Sequence, residues 1–330
     1  MYKIFRKILF LFPPELSQEF SHYFLKLFSW IYKKEEKKFD IKGLKVRNRL
    51  GTAAGIDKNG KLIKEFSNLG FGFVEIGTVT PKPQYGNPKP RVHRIKSKES
   101  LLNSLGFPND GVEIIKKRLE ITRDECIGIN IGPNKDTKFQ NLINDYLTCY
   151  DEIYQYCDFI TINISSPNTP ELRDLHNPIE FNKIIDALLA RRAELEYSPR
   201  IFIKFSPDES FETYKQLIEV INDSEIDGVI VTNTTNNLTI KKKLNIDNLA
   251  GGVSGRLLQN TSNEILKIFE ANLSKEKIIV AVGGVYDVDS YNEKIDLGAD
   301  LVQIYTGLIY EGPDLVKRIL KNGKQISSNS

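Results

Sequence analysis

Residues 280–287 read VAVGGVYD and residues 302–307 read VQIYTG. In each, a short apolar run ends in glycine and an amphipathic stretch follows, near 287–296 and 313–321. Apolar runs of that length bounded by turn residues read as buried strands. The same unit recurs upstream. Strand candidates lie at Leu50–Ala54, Phe73–Gly77, Ile127–Ile131, Phe159–Ile164, Ile201–Phe205, Gly228–Thr232, Ile278–Val282 and Leu301–Tyr305. Helical patterns near 60–69, 110–122, 141–156, 178–196, 211–222 and 262–272 follow the first six. Eight strands, each followed by a helix, predict an α/β fold of the (β/α)8 TIM-barrel type. Two connections, 78–109 and 233–260, are long, and both leave the C-terminal ends of strands, where barrels build their sites.

The 330 residues, 40% hydrophobic and 27% charged, suit a globular protein with a large core. The net charge of +3 is unevenly placed. Residues 1–38 carry eight basic and four acidic side chains, and the remainder carries thirty-eight against thirty-nine. A nearly neutral barrel argues against nucleic-acid binding. Cys126, Cys149 and Cys157 are odd in number and lack metal-site spacing, so disulfides, zinc and iron–sulfur clusters are not expected. A reducing compartment fits best.

The first 38 residues, MYKIFRKILFLFPPELSQEFSHYFLKLFSWIYKKEEKK, contain no 18-residue apolar run and no small-residue cleavage site. Neither a spanning helix nor a signal peptide is expected. The pattern predicts a helix to about Phe12, a break at Pro13–Pro14 and a second helix from about Glu15. Leu16, Phe20, Phe24, Leu27, Phe28 and Ile31 form one face, flanked by Lys3, Arg6, Lys7, Lys26, Lys33 and Lys34. Such a hairpin either packs on its own domain or lies in a membrane interface, and aromatic residues beside lysines favour the second. The chain thus divides into an N-terminal helical extension, 1–38, and a barrel domain, 39–330.

The strand ends are polar where a barrel site belongs. TAAGIDKNG, 52–60, pairs small residues that admit a flat ligand with one cation, Lys58. Lys204 stands in the otherwise apolar IFIKF, at a cost unless it finds a partner. Thr232, Asn233 and Thr234 follow strand six. The glycines of GGVYD, YTG and GGVSGR (251–256) suit a phosphate cradle. A phosphate site beside Asn, Thr and Lys groups points to flavin mononucleotide (FMN), with Lys204 at the electron-rich edge of its ring. No G-x-G-x-x-G follows a strand, which counts against a pyridine nucleotide.

These motifs bring a resemblance into view. AAGIDKNG (53–60), EIGTVTPKPQYGNPKPR (75–91), NSLGFPNDG (103–111), GINIGPNK (128–135), INISSPNTPELR (162–173), DGVIVTNTT (227–235), GGVSGRLL (251–258) and the two closing glycine loops resemble the class 2, quinone-linked dihydroorotate dehydrogenases. The resemblance runs from about residue 2 to 320. It implies oxidation of dihydroorotate to orotate through FMN, in pyrimidine synthesis, with electrons passed to a membrane quinone. It implies FMN contacts from Ala53, Ala54, Gly55, Asp57, Lys58, Thr78, Asn130, Asn163, Lys204, Thr232, Gly255, Gly284, Tyr305 and Thr306. Dihydroorotate would meet Lys58, Asn103, Ser104, Leu105, Gly106, Phe107, Asn163, Asn168, Asn233 and Thr234, with Lys58 facing its carboxylate and amides reading its ring edge. Gln18, Arg94 and Tyr305 would lie on the quinone path.

The resemblance makes Ser166 the catalytic base, taking a proton from C5 of dihydroorotate while hydride leaves C6. By the residues alone, Ser166 has no neighbouring histidine and no G-x-S-x-G elbow, and His176 is expected on a surface loop. Soluble relatives carry cysteine at this position and lack the N-terminal helices, so Ser166 and residues 1–38 both point to the quinone-linked class. Ser104, Glu171 and Gln18 depart from the usual arginine, glycine and histidine. The resemblance further implies no metal and a monomer, peripheral on the cytoplasmic face of a bacterial inner membrane through residues 1–38.

Overall fold

Parallel strands covered on both faces must be apolar on both, and the barrel strands follow that rule. The computed structural model describes residues 2–32, 36–121, 124–165 and 172–326. A hairpin, β1 (Phe39–Ile41) and β2 (Leu44–Val46), precedes the barrel. Then come β3 (Leu50–Asp57), β4 (Phe73–Val79), β5 (Val92–Ile95), β6 (Ser100–Asn103), β7 (Ile127–Ile131), β8 (Phe159–Asn163) and β9 (Arg200–Phe205). The set ends with β10 (Gly228–Val231), β11 (Gly252–Gly255), β12 (Ile278–Val282) and β13 (Leu301–Ile304). Strands β3, β4, β7, β8, β9, β10, β12 and β13 close in that order into a parallel eight-stranded barrel. The predicted barrel is therefore the observed one, each strand within a few residues of its expected place.

The two long connections were legible only as loops. They meet in an antiparallel sheet, β5–β6–β11, which pairs Asn103 with Gly252 across the barrel mouth. That sheet roofs one side of the site.

The lower half of the barrel is filled by aromatic rings. Phe73 meets Phe159 edge to face and Phe159 stacks on Phe202 through its base, at 6.1 Å and 5.0 Å between centroids. The β1–β2 hairpin plugs the bottom with Ile41, Leu44 and Val46. Glycine makes the space: a methyl at Gly51 or Gly128 would collide with the Phe73 or Phe159 ring.

The N-terminal helices, α1 (Tyr2–Leu9) and α2 (Pro14–Phe28), dock on this frame through polar ties. The Tyr2 hydroxyl and Arg6 guanidinium donate to the Ile309 and Tyr310 carbonyls, at 2.6 and 2.5 Å. Arg94, on β5, donates to Phe12 O and Ser17 Oγ, both at 2.8 Å. Arg91 pairs with Glu15 at 2.9 Å. Yet part of the predicted apolar face stays outside, with Leu16, Phe20 and Leu27 each 38–48% exposed, while Phe24, Phe28 and Ile31 border a cavity against the barrel. No described helix is long and apolar enough to cross a membrane. The helices do both things at once: they pack inward and present apolar surface outward.

Gly128→Ala should destabilise the protein by roughly 1–3 kcal/mol, the usual consequence of overpacking a filled core. The shift in urea midpoint measures it; an unchanged midpoint would mean that the aromatic base can relax.

Candidate functional site

At the C-terminal end of the barrel the core changes from aromatic to polar. Glu75 on β4, Asn130 on β7, Asn163 on β8, Lys204 on β9 and Gln303 on β13 are all buried; Asn163, Lys204 and Gln303 floor a cavity, and Glu75 and Asn130 support it from beneath. Apart from Lys204, they are joined by one chain of hydrogen bonds. Gln303 Nε2 and Asn130 Nδ2 donate to the two oxygens of Glu75, the second at 2.8 Å. Thr78 Oγ1 donates to Asn130 Oδ1 at 2.6 Å, and Asn163 Nδ2 reaches the same oxygen at 3.1 Å. Asn163 Oδ1 accepts from Ser165 Oγ at 3.2 Å, and Asn233 Nδ2 donates to Ser165 Oγ at 3.0 Å. Register supplies the geometry, because Gly77 pairs with Asn130 and Asn163 with Lys204.

Two polar groups of this floor are unanswered. Lys204 Nζ makes no hydrogen bond among the described residues, and Gln303 Oε1 is buried without a partner. Burial lowers the Lys204 pKa, and the Glu75 carboxylate partly offsets that. An ammonium in a cavity wall, balanced by a buried carboxylate, suits an electron-rich ring edge.

The rest of the wall suits a flat, phosphorylated group. Ala53, Ala54 and Gly55 give a side without bulk. Gly55 has φ +97°, and a Cβ there would come within 3.2 Å of the Tyr305 ring. Opposite, Gly255, Gly284 and Thr306 converge, with Ser254 Oγ and Thr306 Oγ1 2.8 Å apart. A Cβ on Gly284 would run into Gln259 Cα, so only glycine fits that cradle. The observed donor set and clearances fit FMN.

Most expected residues meet here. Lys58, Thr78, Thr232, Asn233 and Thr234 line the cavity, as do Asn103 at the end of β6 and Leu105, Gly106 and Phe107 of the loop after it. Three differ in detail. The Asp57 carboxylate faces away, accepting from the backbone N–H groups of Asn59, Lys61 and Leu62 at 3.3, 3.0 and 2.7 Å. It shapes the loop that presents Lys58, a local capping role that an acidic residue beside a lysine did not reveal. Asn130 lies one layer beneath the floor, and Ser104, engaged through its backbone, does not line the cavity. Ser166, Asn168 and Glu171 lie outside the described residues. His176 corrects the expected surface position. It is buried, with Nδ1 2.9 Å from Glu209 Oε1, because the turn Leu172–His176 folds against the loop after β9.

Lys58 is withdrawn from water and its pKa falls to about 8, chiefly by burial, with Arg91 lowering it further and Glu15 opposing. Its Nζ donates to Gly55 O at 2.9 Å and reaches Gln18 Oε1 at 3.4 Å, while Gln18 Nε2 donates to Ile56 O at 3.1 Å.

Gln18 and Arg94 belong to a second, apolar cavity of about 400 Å³, held between α1, α2 and the barrel. Phe5, Leu9, Phe24, Leu25 and Phe28 line it, with His22 at its side. The two cavities share Val92, Leu101 and Tyr305. Tyr305 is thus a common wall, and burial raises its pKa to about 12.

A protein-family model described as dihydroorotate dehydrogenase matches residues 37–326. The chain belongs to the dihydroorotate dehydrogenase family. A relative from Buchnera aphidicola subsp. Schizaphis graminum, named dihydroorotate dehydrogenase (quinone), is 42% identical over 97% of this chain and 99% of its own. One of the same name from Psychromonas ingrahamii is likewise 42% identical, over 97% and 99%. Among solved structures, dihydroorotate dehydrogenase from Eimeria tenella in complex with ferulenol superposes with a TM-score of 0.87 at 32% identity, covering 93% of this chain and 90% of that one. The family model thus matches the barrel, and the match to both bacterial relatives extends over 97% of the chain.

Sequence reasoning missed Glu75, Gln303 and Ser165. Glu75 carried a signal, a lone acid in the apolar strand FVEIGTV matching the lone lysine of IFIKF.

His22 is held neutral, its pKa pushed down to about 4 by burial and by Lys58, Lys26 and Lys61. A histidine that resists protonation when folded loses stability as pH falls below its unfolded value. Between pH 6.5 and 4 the loss should approach about 3 kcal/mol, and His22→Gln should flatten that slope in denaturant midpoints.

Proposed function

We infer that the protein oxidises dihydroorotate to orotate in pyrimidine biosynthesis and passes the electrons to a quinone. One observation carries the division of labour: a polar cavity and an apolar cavity share the Tyr305 wall. Polar substrate and apolar acceptor need such different surroundings and a short path between them.

We propose FMN as the flavin in the polar cavity. Ala53, Ala54 and Gly55 would lie along its ring, Lys204, Thr78, Asn130, Asn163 and Thr232 at its polar edge, and Gly255, Gly284 and Thr306 at its phosphate. Bound there, FMN supplies a hydride acceptor that can release electrons singly or in pairs. The chain does the rest. Lys58 pairs with the carboxylate of dihydroorotate. Asn103, Asn163, Asn168, Asn233 and Thr234 offer amide and hydroxyl groups to the donor–acceptor edge of the ring. Phe107 and Leu105 shield the reacting atoms from water. Ser166 accepts the proton from C5, a task that general-base catalysis assigns to a group held at that carbon. Asn233, bonded to Ser165 Oγ, steadies the start of the loop that carries it.

The quinone head would enter the apolar cavity past Gln18 and Arg94 toward Tyr305. The outward side of α1 and of the turn after it, with Ile4, Ile8 and Leu11 53–81% exposed, supports a peripheral membrane position, which we propose to be on the cytoplasmic face. We propose that the protein acts as a monomer.

Two experiments test this reading. Anaerobic dihydroorotate should bleach the yellow protein and quinone should restore the colour, whereas Ser166→Ala should keep its flavin and bleach slower by orders of magnitude. Equal bleaching rates would remove Ser166 from the chemistry. Because Lys58 is charged below its pKa of about 8 and neutral above, KM for dihydroorotate should climb through pH 8–9. In Lys58→Met the KM should be high and flat with pH.

A further inference from the structure

Behind the glycine cradle lies a cation with no part in the scheme above. Lys294, on the helix Val288–Asp296, is fully buried. Its Nζ donates to Ser262 Oγ at 2.6 Å. Ser262 stands in the first turn of the helix Gln259–Asn272, also fully buried. Its hydroxyl, already accepting from the ammonium, has one proton for two acceptors, Gly283 O at 2.9 Å and Gln259 O at 3.0 Å. The glycine pair rests directly on this turn: a Cβ at Gly283 would sit 3.2 Å from Ser262 Oγ.

The peptide joining Gly283 and Gly284 is not among the cis bonds, so its C=O and N–H point in opposite directions. Holding the Gly283 carbonyl inward toward Ser262 therefore turns the Gly284 N–H outward, to the cavity that Gly284 lines. That N–H makes no hydrogen bond among the described residues. A buried cation also raises the potential at the cradle, where little water intervenes to screen it. An apolar side chain would fill this place without the penalty of burying charge, and burial does draw the Lys294 pKa down to about 7. An anion nearby would favour the charged form.

We propose that Lys294 and Ser262 are positioning residues for the cofactor phosphate, the ammonium acting through the hydroxyl to aim the Gly284 N–H at the anion. The proposal rests on the FMN reading and extends it to residues that do not touch the cofactor.

The test separates phosphate from ring. Full-length holoenzyme is diluted and flavin release followed by fluorescence, once with FMN bound and once after exchange to riboflavin, which has the ring without the phosphate. Ser262→Ala and Lys294→Met should each weaken FMN about tenfold or more and leave riboflavin within about twofold. The double variant should lose little beyond the larger single effect, and Ser262→Thr should restore FMN retention. Equal weakening of both flavins, or of neither, overturns the proposal. Ser262→Ala, which keeps the lysine and removes one oxygen, decides it alone if Lys294→Met does not fold. Failure of wild-type protein to retain FMN would instead refute the cofactor reading itself.

Discussion

Glu75 and Lys204 are opposite charges placed in two apolar strands of one barrel, both removed from water. Neither is tolerable there alone, since an isolated buried charge costs several kcal/mol. Their compensation fixes what the barrel mouth can contain. Asn130 and Gln303 spend their donors on the carboxylate, Thr78 and Asn163 follow in turn, and the ammonium is left facing the cavity. The barrel is therefore split along its axis, with a dry aromatic base that supplies cohesion and a polar mouth whose groups are largely spoken for. A ligand enters an organised field in which few side chains need to turn.

The barrel strands and the glycine loops were legible because their signals are local. An apolar run ending in Gly-Gly says strand, then turn, within ten residues. The β5–β6–β11 sheet was not, because it pairs segments about 150 residues apart and none of its strands exceeds four residues. Asp57 illustrates a different limit: AAGIDKNG places an acid beside Lys58, but only three backbone N–H groups folding onto its carboxylate reveal that it shapes the loop. His176 was misplaced because burial there depends on Glu209, brought from another strand's loop.

The N-terminal helices reconcile two readings that the sequence left opposed. Amphipathic spacing describes one apolar stripe, yet the pair has two apolar sides, one closing a cavity and one exposed. Periodicity alone cannot separate them, since a stripe broad enough for both looks like a single generous face. The polar ties from Tyr2, Arg6, Arg91 and Arg94 set which side turns inward.

That two-sided construction bears on how an apolar molecule finds its place. Were the outer side to rest on a bilayer, the cavity would lie behind helices whose other surface was already among acyl chains. A guest could then arrive sideways without crossing water, so its occupancy would follow its mole fraction in the lipid and not its aqueous solubility. Search would be confined to a plane. The length of a guest's hydrocarbon tail would then tune delivery without altering the fit of its head, and two guests of equal affinity could compete unequally because they partition differently.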